Sequence, residues 1–112
     1  MAATATGTGA QVKITRWRGG RHPTLEIISR LLRREGLRPY IWANMPNFRY
    51  PVRSHGYDKA LYCVRGTIEV AFPEAKRRVT LRPGDRIDLP RNVRYSITVG
   101  PTGAQCIEGT TA

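Results

Sequence analysis

The sequence predicts an all-β domain, an antiparallel β-barrel or jelly roll carrying one N-terminal α-helix. Three observations lead there. From Leu37 onward, short apolar runs alternate with polar residues at a period of two, the spacing of half-buried strands. Turn residues punctuate those runs, with 11 glycines and 8 prolines in 112 residues, which favours short strands over a helical bundle. Only the segment from Thr24 to Gly36 shows helical spacing.

Taken in order, residues 1–10 are small and polar and are expected to form a flexible tail, leaving 11–112 as a single domain. A first strand is expected over Val12–Trp17, ended by Gly19-Gly20. Thr24 is a plausible N-cap, and Glu26 sits in the first turn, where the helix dipole favours an anion. Leu25, Ile28, Leu31 and Leu32 make one apolar face, and Gly36 suits the C′ position after Arg33-Arg34. This helix is expected to lid or flank the β body. Strands follow over Pro39–Met45, Arg49–His55, Ala60–Arg65 and Thr67–Phe72, with Gly66 as a hinge or bulge between the last two. Arg78–Leu81 and Arg86–Leu89 flank Arg82-Pro83-Gly84-Asp85, which fits a type II turn with glycine at the position of positive φ. Arg94–Val99 and Ala104–Ile107 close the series, joined by Gly100-Pro-Thr-Gly103. About eight strands with short links imply a sandwich or barrel.

Composition narrows the function classes. The formal charge is +11, and 16 of the 19 basic residues are arginine. They are scattered, with only Arg33-Arg34 and Arg77-Arg78 adjacent, and no nucleic-acid-binding motif accompanies them. A solvated arginine-rich surface is preferred over a nucleic-acid partner. Cys63 and Cys106 lack metal-site spacing and are too few for a disulfide framework, so buried free thiols in the cytoplasm are expected. The N-terminus has no apolar core of a secretory signal, and no run approaches transmembrane length. Exposed strand edges need cover, so a homodimer is expected.

The stretch His55 to Glu108 resembles the cupin family. That family's first motif is His-x-His-x3–4-Glu-x6-Gly, and Gly66 anchors it here. Counting back places Lys59 at the glutamate, His55 at the second histidine and Arg53 at the first. In the second motif, Pro83-Gly84-Asp85 matches the turn, Leu89-Pro90 the proline-led step, and Tyr95 stands at the last histidine. The resemblance spans residues 37–109 and implies an RmlC-like jelly-roll barrel with an internal pocket, commonly holding a divalent metal on three histidines and one glutamate. In this chain that set becomes Arg53, His55, Lys59 and Tyr95. Arginine cannot coordinate, and a lysine must first lose its proton. One histidine and one tyrosine make no stable site. No metal and no cofactor are therefore expected.

Residues 53, 55, 57 and 59 differ by even numbers, so a continuous strand would turn Arg53, His55, Tyr57 and Lys59 to one face, with Leu61 and Cys63 beyond them. Tyr95, Ile97 and Val99 would form a second inward row. The expected ligand-binding set is Arg53, His55, Tyr57, Lys59 and Tyr95, a cationic pocket suited to an anionic or sugar-like small molecule. The preferred reading of Lys59 is a barrel-mouth side chain with its head in water. Were it interior, desolvation and Arg53 would lower its pKa and open a base or Schiff-base role. Tyr40 and Trp42 are expected on alternate faces of their strand, lining the pocket or meeting a partner subunit. Small-molecule binding leads, ahead of a small enzyme, either a metal-dependent oxygenase or isomerase with altered ligands or a metal-free epimerase or lyase, and ahead of nucleic-acid binding.

Overall fold

The computed structural model describes residues 12–111. The expected tail lies outside the described residues. Seven strands and one helix follow in the order β1 (Lys13–Thr15), α1 (Leu25–Arg34), β2 (Arg38–Asn44), β3 (Arg49–Arg53), β4 (Lys59–Phe72), β5 (Arg77–Leu81), β6 (Arg86–Leu89) and β7 (Tyr95–Thr110). All pairings are antiparallel, in the order β1-β6-β4-β7-β2, with β3 added to β7 and β5 to β4.

Two pairs of strands expected to be separate are continuous. Gly66 does not end a strand: β4 runs through it at φ 73°. Gly100–Gly103 likewise lies within β7. The ladder between β4 and β7 shifts between Cys63 and Arg65 and again between Gly66 and Ile68. Bulges bend the strands that carry them, and these separate the half of β4 paired with β6 from the half paired with β5. A single sheet thereby folds over onto itself as a jelly roll.

The fold-over encloses the main core. Leu61, Cys63, Ile68, Val70, Phe72, Leu81, Ile87, Val99 and Cys106 are buried in it. Residues of the opposite parity, Ala60, Tyr62, Val64 and Ile107, point outward and are covered by Ile28 and Leu32 of α1. The helix therefore flanks the barrel's outer face. Its ends are as the sequence predicts. Thr24 Oγ1 accepts from the Ile27 N–H at 3.1 Å. Gly36, at φ 78°, donates to Arg33 O, and Leu37 N–H returns to Leu32 O. A clamp fixes the helix end to β6: Arg86 donates to both Glu35 carboxylate oxygens at 2.6 and 2.9 Å while also holding Asp88.

The Arg82–Asp85 turn forms as expected, with Asp85 N–H donating to Arg82 O and Gly84 at φ 92°. Its glycine is required twice over, because a Cβ there would enter the Trp17 indole. The buried Asp85 carboxylate accepts from the backbone N–H groups of Trp17 and Arg82 and from Arg16. β1 is thus tied to the turn, and it is shorter than expected because Trp17 leaves the ladder to cover Gly84.

Candidate functional site

A cavity of about 320 Å³ opens at the end of the barrel where β2, β3, β4 and β7 converge. All five residues expected at a site line it: Arg53, His55, Tyr57, Lys59 and Tyr95. They do not arrive there on one continuous strand. β3 ends at Arg53, so the expected extension to His55 is not made, and His55 and Tyr57 sit in the loop before β4. That loop is held by Asn92 N–H donating to His55 O at 2.7 Å and by Arg91 N–H donating to Asp58 Oδ1 at 2.9 Å. Lys59 enters from the first position of β4, and Tyr95 from the first of β7.

Lys59 contradicts the expectation of a head in water. The residue is 8 % exposed, and its Nζ lies 3.2 Å from Glu108 Oε1, 3.1 Å from Tyr95 Oη and 3.4 Å from His55 Nε2. Nor is its pKa lowered. Burial pushes it down, but the Glu108 carboxylate and the Tyr95 phenol outweigh that and hold it above the ordinary lysine value. Lys59 is a buried ammonium, and Glu108 is its counter-ion.

Glu108 is the site residue the sequence reading missed. The expected strand stopped at Ile107, whereas β7 runs on to Thr110. Alternation through Ala104, Cys106 and Glu108 was the available signal, since all three share the inward face. Glu108 Oε2 also accepts from Trp42 Nε1 at 2.9 Å, so both carboxylate oxygens are engaged.

The remaining hydrogen bonds follow from donor counting. The ammonium donates to Tyr95 Oη and faces His55 Nε2 at 3.4 Å, where a ring N–H would be opposed, so Nε2 is the acceptor for the Tyr95 hydroxyl 3.0 Å away. The neutral imidazole then carries its proton on Nδ1, facing Tyr57 Oη at 3.3 Å. Burial, with Lys59 and Arg53 nearby, holds the His55 pKa below its ordinary value, and Glu108 only partly offsets this. Tyr95 is buried, as expected, and burial raises its pKa against the pull of Lys59, so it stays a phenol.

Among the described residues Arg53 makes no ion pair, because the nearby acids are taken by other arginines. Asp58 pairs with Arg91, Asp85 with Arg16 and Asp88 with Arg86. The Arg53 guanidinium lies instead over the Tyr50 ring, 5.3 Å from its centroid. Tyr40 and Trp42 both line the cavity and do not take alternate faces: two residues apart on β2, they share one. Trp42 meets Tyr50 edge to face at 5.3 Å, and His55 stacks on Tyr57 at 5.0 Å.

The donor set does not suit the divalent metal that the cupin resemblance implies. Its first and third positions are guanidinium and ammonium, which cannot ligate as they stand. His55, Tyr95 and Glu108 are already gathered around the Lys59 ammonium. Among the described residues, no three His, Cys, Asp or Glu side chains come together in a metal-binding group.

The site and the acidic turn together predict an acid limb of stability. Folded His55 resists protonation, so the unfolded chain takes up a proton below 6.5 that the folded chain does not. For Asp85, burial opposes ionisation, but hydrogen bonds from Arg82, Trp17 and Arg16 overcome it and keep the pKa below 3.8. Both groups act in the same direction: the urea midpoint should fall as pH drops through 6.5, then fall again below 3.8. In His55→Asn the upper step should vanish and the lower persist.

No family model matches the chain, and no curated protein matches it. Solved structures do. A DUF861 family protein from Thermotoga maritima is 19 % identical, with 89 % of this chain and 99 % of that one covered at TM-score 0.60. A cupin superfamily protein from Desulfitobacterium hafniense is 12 % identical, with 90 % and 77 % covered at TM-score 0.59. The polyketide cyclase RemF from Streptomyces resistomycificus is 19 % identical at TM-score 0.60, covering 68 % of this chain and 55 % of the cyclase. The chain has a cupin fold.

Proposed function

We propose that this cupin-fold chain is a small-molecule binding protein that works without a metal and takes an anionic ligand in its barrel cavity. The observation that carries this reading is the Lys59 ammonium, buried among His55, Tyr95 and Glu108, where the cupin pattern would put a metal-ligating glutamate. Arg53 supplies the attraction for the anion, because Lys59 is neutralised by Glu108 and His55 is neutral. Elemental analysis of the purified protein tests it, with substoichiometric metal as the expected result. A stoichiometric divalent metal, lost on His55→Ala, would overturn it.

A second reading, a metal-free epimerase or lyase, rests on the neutral His55 imidazole bonded to the Tyr95 phenol, a pair able to take and return a proton. It predicts a rate that falls as His55 is protonated and is lost in His55→Asn. A Schiff-base role for Lys59 is not retained, because its pKa is raised.

Two further calls belong to this proposal. A homodimer is supported by β2, which pairs on one side only and exposes Tyr40, Ile41 and Met45 along and beside that edge. Light scattering should give twice the chain mass, and a monomer at micromolar concentration would reject it. A cytoplasmic location is supported by the two free, buried thiols Cys63 and Cys106. No helix among the described residues is long and apolar enough to cross a membrane.

A further inference from the structure

The geometry points to a planar aromatic monoanion, of the aryl carboxylate class, as the ligand of this cavity; the inference rests on the anion-binding reading above and narrows it. Charge sets the valence. Lys59 and Glu108 cancel at 3.2 Å, and the imidazole is neutral. Arg53 is left as the uncompensated charge on the cavity wall, and its planar guanidinium can grip one carboxylate through two parallel hydrogen bonds. A second negative charge on the ligand would meet no second free cation among the described residues that line the cavity.

Hydrogen-bond capacity argues against a polyol. Glu108 is engaged through both oxygens, by Lys59 and Trp42, and the Tyr95 hydroxyl is shared between Lys59 and His55. The groups a sugar would use are therefore turned toward one another. The walls offer flat apolar surface instead. Trp42 and Tyr50 meet edge to face, Tyr57 stacks against His55, and the apolar Ile97 lines the cavity with them. A volume near 320 Å³ is at the small end for ligand pockets and suits one ring bearing one carboxylate. The Arg53 guanidinium already lies over Tyr50, so a carboxylate held there would place its ring against the same aromatic wall.

Calorimetric titration of the purified protein with benzoate, cyclohexanecarboxylate and benzamide tests this. Benzoate should bind about tenfold more tightly than cyclohexanecarboxylate, which keeps the charge and loses the flat ring, and about tenfold more tightly than benzamide, which keeps the ring and loses the charge. Arg53→Gln should erase the difference between benzoate and benzamide. Tyr50→Leu should erase that between benzoate and cyclohexanecarboxylate, and the exposed Tyr57→Leu should reduce it if Tyr50→Leu does not fold. Equal binding of the two carboxylates, both ahead of benzamide, would overturn the aromatic class and leave anion binding intact. Benzamide matching benzoate, or no carboxylate binding at millimolar concentration, would overturn the anion-binding reading as well.

Discussion

Replacing Lys59 by methionine is expected to destabilise the protein by about 3 kcal/mol, lowering Tm by roughly 12–24 °C for a domain of this size. The substitution keeps the side chain's length and removes its charge. Glu108 then has no cation, and its carboxylate, 19 % exposed, keeps only the Trp42 indole as a donor. Glu108→Gln should cost a similar amount, because the ammonium beside it is 7 % exposed and would have to shed its proton or draw in water. The double variant Lys59→Met/Glu108→Leu should recover most of the loss, since a buried ion pair exchanged whole for apolar groups is often close to neutral. Thermal and urea unfolding of the three proteins decides the matter. Single variants within about 0.5 kcal/mol of the parent would mean that water screens the pair. The pH dependence has the sign of a raised lysine pKa. The contribution is present below 10.5 and is lost as pH climbs through the higher folded value.

Gly66→Ala is expected to cost at least about 3 kcal/mol. At φ 73° an L-residue is strained, and the added Cβ would be driven into the Gly103 carbonyl and the Ala104 backbone of the neighbouring strand. Neither is a flexible side chain that can move aside. Gly36→Ala serves as the comparison. Its φ of 78° is nearly the same, but a Cβ there meets nothing within 4 Å, so only the backbone term of about 1–2 kcal/mol remains. The difference between the two variants in chemical unfolding measures the crowding at the fold-over. Equal costs would show that the strands part easily there.

The fold was legible from local chemistry. Thr24, Gly36 and the Pro83-Gly84 turn each announce themselves by residue type, and each adopts the expected conformation. Gly66 reads as a hinge or bulge and is one, but inside a single strand that keeps pairing, with a register shift on either side and the Gly103 carbonyl where a Cβ would stand. Whether a glycine ends a strand or bends it depends on what lies across from it, which no single segment reveals. The five expected site residues do share a cavity, although the loop at 54–58, not strand alternation, brings His55 and Tyr57 there. Charge state was the hardest part to read. The ionisation of Lys59 is set by Glu108, a residue far along the chain and adjacent only through the ladder that pairs Leu61 with Glu108.

Alternation along β7 assigns neighbouring residues to different tasks. Ile107 packs under α1, while Glu108 faces the cavity and neutralises Lys59. Inserting or deleting one residue between Ala104 and Thr110 would exchange those two side chains, putting a carboxylate under the helix and an isoleucine beside an ammonium. This segment should therefore tolerate substitution far better than any change of length. The Gly100–Gly103 excursion, where residues already go unpaired with β4, can absorb added residues without moving Glu108. For anyone grafting a new binding specificity onto this scaffold, that excursion is the place to lengthen the chain, and the helix is the gauge that shows whether the graft has kept its frame.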